Sequence, residues 1–550
     1  MGFYQELTKE YHEGMSKKAI NKLKSKIAKK YALDKLPRDS DIMLASGKTI
    51  KSKTVRTLSG VAPIAVMTKP IACKHGRCIF CPGGPSSYFG DVPQSYTGKE
   101  PSTMRAIRNN YDPYLIVFNR LEQYICLGQL PEKVELIIQG GTFCSFPKEY
   151  QEYVIKYCFK ALNDFSALFY TNNQFNIERF KEFFELPSDI YSEERIARVK
   201  EKILSIKDEC ILENEQDKNE TANIRCVGLT IETKPDWAKL NEGNEMLRLG
   251  CTRIELGLQS LFDEVLLFNH RGHNLADSIE SLQILKDLGF KINAHYMLGL
   301  PSSTKEMDLE GFKTMFEDSR FCPDMLKIYP CLVIKGTPLY NMWKQGKYRA
   351  VETKEAAEII AEGKKYIPEY CRIMRIQRDI PTYVTSSGVD RTNLRQYVGQ
   401  ELKKRGIKCR CIRCRESGRA SIIKNPELKI IEYGSSGGKE FFISFVDEND
   451  TLIGFCRMRF PSQFLREEIT QDSALIRELH VFSSAVSIGK TPENKEMQHR
   501  GFGKILLKKA EEIAKSNGKN KIVVISGVGV RQYYYKQGYH KENPYVVKYI

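Results

Sequence analysis

Three cysteines near the start of the chain, Cys73, Cys78 and Cys81, have a spacing that can hold a metal centre. They lie in the string C-K-H-G-R-C-I-F-C, which runs directly into a proline- and glycine-rich turn at 82–85. An iron–sulfur cube takes four ligands, usually four thiolates. Three thiolates on one loop would leave one iron open to a small molecule, so we expect a [4Fe-4S] cluster here. The alternative is a zinc knuckle with a distant fourth ligand.

Strands that alternate with helices must position this loop. Six apolar, β-branched runs are predicted as strands: Ala62–Thr68, Val134–Gln139, Arg225–Ile231, Thr252–Gln259, Lys291–Leu298 and Met325–Val333. Their alternation with amphipathic stretches predicts an α/β fold with a parallel sheet, and six units suit a partial (βα)6 barrel. The cysteine loop follows the first strand, at the edge where parallel sheets place active sites. The polar segment 171–224 is predicted to be a helical or partly disordered insertion.

The ends of these strands carry residues suited to binding a ligand. The second strand ends in Gly140-Gly141, where glycine lets the backbone approach a ligand closely. The third ends near Glu232 and Lys234, the fourth in the string Glu255-Leu256-Gly257-Leu258-Gln259-Ser260, and the fifth carries His295. Each is compatible with a structural turn, but together they predict a polar pocket. The cysteine loop and the glycine pair resemble radical S-adenosylmethionine (SAM) enzymes, although their commonest spacing is CxxxCxxC. The resemblance implies that the open iron and Gly140-Gly141 bind SAM.

A second group of thiols, Cys409, Cys411 and Cys414, reads C-R-C-I-R-C. Three thiols within six residues indicate a metal site, and zinc in a small structural knuckle is the prediction. The fourth ligand is not evident, with Cys371, Cys331 or a histidine as candidates. A second iron–sulfur cluster or free thiols without metal remain as alternatives.

The pattern changes from about residue 426 to short strands and a glycine loop that opens a helix. The string Gln498-His499-Arg500-Gly501-Phe502-Gly503 precedes a helix predicted at Lys504–Asn517. Free backbone N–H groups and the positive end of the helix dipole make such a loop a pyrophosphate site. With the following strand and the tyrosine-rich segment at 533–539, the loop resembles the acetyl-CoA site of GNAT acetyltransferases.

Composition limits the class of protein and its partners. The chain of 550 residues has 41% hydrophobic residues and a net charge of +17, and residues 1–60 hold 14 Lys or Arg against 6 Asp or Glu. A second basic block surrounds the thiols at 403–415. Such an excess favours nucleic acid as a partner. No stretch is apolar enough for a membrane helix and no secretory signal is evident, so a cytoplasmic protein without membrane contact is predicted.

These observations predict four domains. They are a basic helical segment at 1–60, a radical SAM partial barrel at 61–400, a zinc linker at 401–425 and a GNAT domain at 426–550. The combination resembles the family of the catalytic third subunit of Elongator in its prokaryotic form. The family that this combination resembles implies that the segment 1–60 binds tRNA. The resemblance rests on Cys-Pro-Gly-Gly-Pro at 81–85, Gln-Ser-Tyr-Thr-Gly at 94–98, Met-Arg-Ala-Ile-Arg at 104–108, Gln-Arg-Asp-Ile-Pro at 377–381 and Ile-Ser-Gly-Val-Gly at 525–529.

The resemblance implies an acyltransferase that uses SAM-derived radical chemistry and acetyl-CoA to form 5-carboxymethyluridine at the wobble uridine of a tRNA anticodon stem-loop. It implies an electron donor protein and either a homodimer or Elongator-like subunits. It further implies these contacts to acetyl-CoA: Glu478, Leu479, His480 and Val481 along a strand, Phe502, Gly503 and Lys504 at the pyrophosphate, Tyr534 near the thioester, and Lys133 on the barrel. Tyr534 is the predicted catalytic side chain, beside Cys73, Cys78 and Cys81. A protein lysine acetyltransferase with a structural cluster is the main alternative, and a tRNA-binding scaffold with vestigial sites is a second.

Overall fold

The computed structural model describes residues 3–12, 15, 17–33, 36, 60–186, 192–377, 379–417, 425–482 and 501–550. The predicted residues Gln498, His499 and Arg500 of the glycine loop, most of the predicted tRNA-binding segment beyond residue 33, and residues 418–424 of the linker lie outside these ranges. Within the described ranges, no helix is both long enough and apolar enough to cross a membrane.

The first sheet has seven parallel strands in sequential order. They are β1 (Val61–Met67), β2 (Lys133–Gln139), β3 (Arg225–Thr233), β4 (Arg253–Gln259), β5 (Lys291–Leu298), β6 (Met325–Pro330) and β7 (Arg372–Ile376). The sheet is open between β1 and β7, so the predicted partial barrel is confirmed, and all six predicted strands are present. The seventh strand, β7, was missed because its short run reads as part of a charged segment.

The two faces of this sheet differ in polarity, as the alternating residues of β2 show. Val134, Leu136 and Ile138 are fully buried against helices, whereas Lys133 and Glu135 alternate with them on the inner face and stay half-buried. Successive strand residues point to opposite faces, so the polar set lines the inside of the barrel. We call that inside space the lumen, the edge at the carboxyl ends of the strands the upper edge, and the opposite edge the lower edge.

Two N-terminal helices pack on each other, and the helices after them cover the outer face and connect the strands. Up to the end of the barrel they are Phe3–Glu10, Lys17–Lys30, Pro101–Arg108, Pro113–Cys126, Lys148–Phe169, Ile177–Phe183, Glu193–Ser205, Leu212–Asn219, Leu240–Arg248, Asp263–Phe268, Leu275–Asp287, Lys305–Glu317, Pro338–Lys344, Thr353–Gly363 and Leu394–Lys404. Short 3₁₀ turns lie at Phe143–Ser145, Pro235–Trp237 and Thr382–Val384, and small strand pairs join Gly84–Ser87 to Gly90–Val92, Tyr170–Thr171 to Gln174–Phe175, and Val333–Ile334 to Thr385–Ser387.

The C-terminal domain is a second seven-stranded sheet. Its strands are β8 (Glu427–Ser435), β9 (Gly438–Val446), β10 (Leu452–Phe460), β11 (Ser473–Val481), β12 (Lys521–Val524), β13 (His540–Glu542) and β14 (Tyr545–Tyr549). All pairs are antiparallel except β11 with β12, and the spatial order ends β12-β14-β13. The helix Phe502–Ser516 packs on this sheet, followed by the turn Val528–Val530 and the helix Arg531–Tyr535. A four-residue helix, Ile412–Arg415, carries part of the second thiol group.

The C-terminal domain docks against the lower edge of the barrel through buried ion pairs. Arg477 of β11 holds Asp324, the residue before β6, with Nη1 to Oδ2 at 2.8 Å and Nη2 to Oδ1 at 2.5 Å. Arg459 of β10 lies 2.7 Å through Nε from the carboxylate of Asp287. Both arginine side chains are fully buried. Because removing one partner of such a pair leaves an uncompensated buried charge, the two domains are held as one body.

The predicted insertion at 171–224 is mainly helical in its described parts, after a short strand pair at its start, and it also contacts the C-terminal domain. Glu220 accepts a 2.9 Å hydrogen bond from Arg531 Nη1. Asp217, in the helix Leu212–Asn219, accepts a hydrogen bond from Lys541 Nζ at 2.5 Å. The insertion is therefore a second connection between the barrel and the C-terminal sheet.

Candidate functional site

A cavity of about 1030 Å³, which includes its open mouth, lies at the upper edge of the barrel. All three cysteines of the first trio line it. So do the polar residues that the sequence placed at strand ends, namely Gly141, Glu232, Lys234, Gln259 and His295. The predicted polar pocket is therefore confirmed at this edge, and we call it the upper cavity.

Hydrogen-bond donors surround the buried thiols Cys78 and Cys81. Arg271 Nη1 donates to Cys78 Sγ at 3.3 Å, and the backbone N–H of Ser95 donates to Cys81 Sγ at 3.2 Å. His75 Nε2 lies 3.3 Å from Cys78 Sγ, and burial lowers the pKa of His75 to about 3, so the ring is neutral. Donors of this kind stabilise thiolates and tune iron–sulfur clusters.

Cys73 is held by a different set of contacts. Its backbone N–H donates to Gln94 Oε1 at 2.6 Å, and its Sγ lies 3.5 Å from Thr142 Oγ1. Burial raises the pKa of the Cys73 thiol. The hydrogen bond with Thr142 lowers this pKa, but by a smaller amount. A bound cationic centre would reverse that balance, because it favours the thiolate.

The spacing of the first trio suits a cluster better than one ion. Among the residues that the structure describes, three ligand atoms lie within 4.8 Å of one another only at Cys409, Cys411 and Cys414. A single zinc ion needs its ligands that close, since each Zn–S bond is about 2.3 Å. A cube of four irons spans more space, so the wider setting of Cys73, Cys78 and Cys81 fits the predicted cluster.

The glycine pair after β2 requires glycine. Gly140 has φ of 132° and Gly141 has φ of 103°. A Cβ on Gly140 would lie 2.0 Å from Thr68 Oγ1, and one on Gly141 would lie 3.7 Å from Cys73 Sγ. The backbone therefore passes the first trio at close range, as the sequence predicted, with room left for a ligand.

Glu232 is a half-buried acid that lines the upper cavity. Its carboxylate accepts hydrogen bonds from Tyr96 Oη at 3.1 Å and Gln139 Nε2 at 3.3 Å. Burial and the nearby Glu255 raise the pKa of Glu232 to about 7, against the lowering effect of Lys327. This side chain can therefore change protonation when a cation enters the cavity.

Glu255 lies at the floor of the upper cavity. Its carboxylate is bound by Lys327 Nζ and lies 2.9 Å from His295 Nε2, and Asn293 Nδ2 donates to it at 3.2 Å. Burial would raise the pKa of Glu255, but Lys327 and His295 hold it well below its usual value. The floor is thus a fixed ion pair.

The second trio has the geometry of a single-ion site. Hydrogen bonds from Cys409 and Cys414 lower the pKa of Cys411, so that one thiol is already disposed to ionise. The candidate fourth ligand Cys371 is fully buried nearby, and its carbonyl accepts from the Ile412 N–H at 3.0 Å. Its sulfur is not among the three grouped ligand atoms. Cys331 instead packs in the apolar cluster that contains Cys78 and Cys81.

The predicted acetyl-CoA loop lies beside the end of β11. Gly501 caps the helix Phe502–Ser516 with φ of 88°. A Cβ on Gly503 would lie 3.1 Å from Tyr533 Oη and 3.8 Å from Val481 Cγ2. Tyr533 Oη is buried with no hydrogen-bond partner among the described residues. A helix N-terminus that has no side-chain cap among the described residues, next to such a hydroxyl, suits a phosphate group. Lys504 is the third residue of this helix and is exposed.

The strand β11 has a free edge at the same place. Its parallel pairing with β12 ends at Ile476, although β11 continues to Val481. Within the described part of the chain, residues 477–481 therefore have one edge without a strand partner. Glu478 binds Arg457 Nε at 2.9 Å and faces the barrel, Leu479 packs on the C-terminal core, and His480 stacks between Phe455 and Phe482.

Two predicted acetyl-CoA residues occupy less exposed positions. Tyr534 is buried in the core of the C-terminal domain, next to Tyr533 and Tyr539, and burial raises its pKa above the ordinary value. Lys133 is the first residue of β2, at the lower edge, and burial lowers its pKa. That edge faces the C-terminal domain, which is consistent with a contact to CoA. The roles of both residues stay predictions.

The two basic blocks differ in how available their charges are. On the helix Lys17–Lys30, Lys18, Lys22 and Lys29 are exposed. In the second block, Arg415 is buried and paired with Asp450 through Nη1 at 2.8 Å. Lysines of the first block are therefore available to bind a polyanion, whereas Arg415 of the second block is used in a structural ion pair.

Comparison with known proteins assigns the family. The chain matches the radical SAM superfamily over residues 71–310, the radical SAM C-terminal domain over 323–404 and the acetyltransferase (GNAT) family over 414–539. It is 43% identical over 564 residues to a tRNA uridine(34) acetyltransferase of Methanocaldococcus infernus, covering 99% of this chain and 98% of that protein. It is 39% identical over 560 residues to human Elongator complex protein 3, covering 98% and 94%. The chain belongs to the tRNA uridine(34) acetyltransferase/Elongator complex protein 3 family.

The family is also evident in three dimensions. The structure of archaeal Methanocaldococcus infernus Elp3 with its N-terminus deleted superposes with a TM-score of 0.73 at 39% identity, covering 90% of this chain and all of that one. The resemblance predicted from the sequence is therefore confirmed. A radical SAM domain implies SAM and an iron–sulfur cluster, and a GNAT domain implies acetyl-CoA.

Several residues that line the upper cavity were not singled out in the sequence. Arg271, His75 and Tyr96 reach the upper cavity from loops, and Lys327 meets the predicted pocket residue Glu255 only because their strands lie two positions apart in the sheet. A signal existed for Lys327, since charged residues inside apolar strand runs are costly unless they are paired.

Proposed function

We propose that this protein is a tRNA-modifying enzyme that forms 5-carboxymethyluridine at the wobble uridine of the anticodon, using SAM and acetyl-CoA. One observation carries the proposal: a three-thiolate cavity and an acetyl-CoA-type site belong to one rigid body, fixed by Arg459 and Arg477. Carbon 5 of uridine and an acetyl methyl group are both unreactive towards simple acid–base chemistry. Joining them calls for the radical chemistry that a bound cluster and SAM supply.

The side chains of this chain would divide the work as follows. Cys73, Cys78 and Cys81 hold the cluster, and the Gly140-Gly141 backbone receives the amino group of SAM. Glu232 offers its carboxylate to the ribose or the cationic part of SAM, with its position fixed by hydrogen bonds from Tyr96 and Gln139. A cationic ligand there favours loss of the Glu232 proton.

The acetyl-CoA site uses the helix that begins at Phe502 for the pyrophosphate and the free edge of β11 for the arm. Backbone N–H and C=O groups at 477–481 can pair with the amides of an extended ligand as a strand would. Phe502, Gly503 and Lys504 lie at the phosphate end, and Glu478, Leu479, His480 and Val481 lie along the arm. Tyr534 lies near the thioester end, and the Tyr533 hydroxyl lies beside Gly503.

The tRNA would contact the exposed lysines of the first basic block and enter the upper cavity with an unstacked base. Lysine contacts to phosphate give salt-sensitive binding without sequence readout, whereas bases of an anticodon loop can be splayed into a pocket. Cys409, Cys411 and Cys414 would bind zinc as a structural site. An electron donor protein, a homodimer or Elongator-like subunits and a cytoplasmic location complete the proposal.

One assay tests the function against its alternatives. Anaerobically reconstituted protein is mixed with dithionite, SAM, acetyl-CoA and tRNA, and the nucleosides are analysed by mass. Carboxymethyluridine is expected from the wild type and none from Cys78→Ala. A lysine acetyltransferase would modify a lysine peptide without SAM, and a scaffold would bind tRNA without cleaving SAM. An equal yield from Cys78→Ala would refute the radical mechanism.

A further inference from the structure

The lumen of the barrel is polar from the upper cavity to the lower edge. Below the floor at Glu255, Arg253 Nη2 lies 3.9 Å from Glu255 Oε1 and pairs with Glu135. Thr230 Oγ1 donates to Glu135 at 3.2 Å. These side chains belong to three neighbouring strands and share one face, so they form a continuous column of charge inside the sheet.

The lower end of this column opens towards the C-terminal domain. The side chain of Glu135 is 23% exposed although its strand lies inside the sheet, and that of Glu478 on β11 is 11% exposed. Burial would raise the pKa of Glu478, whereas Arg457 and Lys291 lower it. The charge of Glu478 in turn acts to raise the pKa of Arg253. Glu478 therefore stands at the lower mouth of the lumen, on the free edge of β11.

The lumen also contains polar atoms that have no partner. Arg253 Nε and Asn293 Oδ1 are buried and make no hydrogen bond within the described residues. Buried polar groups in native proteins are almost always paired with protein, water or ligand. One donor and one acceptor, both near Glu255, are therefore available to a polar group that enters from below.

The two predicted sites lie on opposite edges of the sheet. The seven residues of β2 separate the edges by about 20 Å, but the floor of the upper cavity is lower than its mouth. Glu255 is the third residue of β4, so it lies about 7 Å above the lower edge. A group that entered the lumen past Glu478 would therefore travel about 7 Å along the strands before it reached the floor of the upper cavity.

We propose that the acetyl-thioester arm of CoA enters the lumen past Glu478 and presents its acetyl group beneath Glu255 and Lys327. This inference rests on the proposed function. The direction of the arm follows from the loop: Gly503 lies next to Val481, and the free edge of β11 runs from Val481 back to Glu478. The unpartnered N–H of Arg253 is a donor for the thioester carbonyl. The lumen thus brings the acetyl methyl group to the lower side of the Glu255–Lys327 pair, whose upper side forms the floor of the upper cavity.

The first test needs neither cluster nor SAM. Glu135→Cys places a thiol in the lumen, and a bromoacetyl analogue of acetyl-CoA would alkylate it: the thiolate forms a C–S bond and bromide leaves. Mass mapping is expected to find the adduct at position 135, competed by acetyl-CoA. Glu432→Cys, on an exposed position of the edge strand β8, is the control and should react without competition. Absence of a competed adduct at 135 in folded protein that binds acetyl-CoA would overturn the proposal.

The second test narrows the lumen at Gly228. A Cβ on Gly228 would meet only ordinary contacts, Glu135 Cγ at 3.8 Å and Thr252 Oγ1 at 3.9 Å, so a methyl group fits beside Glu135 and longer side chains would extend from there. With [2H3]acetyl-CoA, hydrogen abstraction breaks a methyl C–D bond and forms a C–D bond in 5′-deoxyadenosine. Deuterium transfer is expected to fall through the series Gly228→Ala, Gly228→Leu and Gly228→Phe, by at least tenfold at Phe. Affinity for acetyl-CoA and reductive cleavage of SAM should change less than threefold.

The matched control is Gly434→Phe on β8. A Cβ there would likewise meet one atom, Ser319 Cβ at 3.8 Å, but the position is outside the lumen. Deuterium transfer in this control should equal that of the wild type. Undiminished transfer in folded Gly228→Phe would overturn the lumen proposal while leaving the proposed function intact. If Gly228→Phe does not fold, Gly228→Leu decides by the same measure. No deuterium transfer in the wild type would instead count against the proposed function.

Discussion

The ion pair between the barrel and the C-terminal domain offers a quantitative test of how the two sites are held together. Asp324 accepts two hydrogen bonds from Arg477 and one from the backbone N–H of Ile292 at 2.9 Å, and Arg457 lies 3.7 Å away. Asp324→Asn keeps the shape but removes the charge and turns an NH2 group towards a donor. The expected loss is about 3–5 kcal/mol of unfolding free energy, since both arginines stay buried.

That loss corresponds to a fall of roughly two to four orders of magnitude in the ratio of folded to unfolded protein. Urea unfolding followed by circular dichroism measures it. Asp318→Asn is the matched control, because Asp318 pairs with Arg320, whose side chain is 60% exposed, and such pairs contribute less than about 1 kcal/mol. The reasoning would be refuted by equal losses in the two variants.

The pH dependence of this difference has a defined sign. Burial would raise the pKa of Asp324, but Arg477, Lys286 and Arg457 hold it below its ordinary value. A carboxyl with a lowered folded-state pKa contributes stability above its unfolded pKa of about 4 and loses that contribution as the pH falls further. The difference in unfolding free energy between wild type and Asp324→Asn should therefore have its full value at neutral pH and decrease only below about pH 4.

Further predictions concern the separate sites. SAM binding should release protons between pH 6 and 8, because a cation lowers the raised pKa of Glu232; calorimetry in buffers of different ionisation enthalpy measures this release, and Glu232→Gln should abolish it. Gly140→Ala should weaken SAM binding at least tenfold, owing to the left-handed backbone and the clash found there, with iron content unchanged as the control. Cys411→Ser should remove bound zinc and lower the melting temperature without altering the iron content; retention of a full equivalent of zinc would count against the second trio as the zinc site. The double variant Lys18→Glu, Lys22→Glu should weaken tRNA binding, and the slope of log K against log[salt] should fall by the equivalent of about two phosphate contacts. A filter-binding titration measures both quantities, and an unchanged salt slope would exclude this helix from the interface.

The barrel and its site were largely predictable because their signals are local. Chelation by Cys73, Cys78 and Cys81 depends on loop spacing, and Gly140 reports a backbone conformation that few other residues adopt. The six longer strands have apolar runs of their own. In contrast, β7 is short and polar on one face, and only its pairing with β6 makes it a strand. The insertion likewise gave no sign that Glu220 would bind Arg531.

By itself, the sequence determined which chemistry the chain can perform: two thiol groups, two glycine loops and an excess of lysine define its ligands through short-range spacing. Only the tertiary structure decided how those sites face each other. Arg477 and Asp324 are 153 residues apart in sequence, and the column from Glu135 through Arg253 to Glu255 exists only when three strands lie in register. The physical reason is that burying charge is favourable only in the presence of its partners, and those partners come from distant parts of the chain.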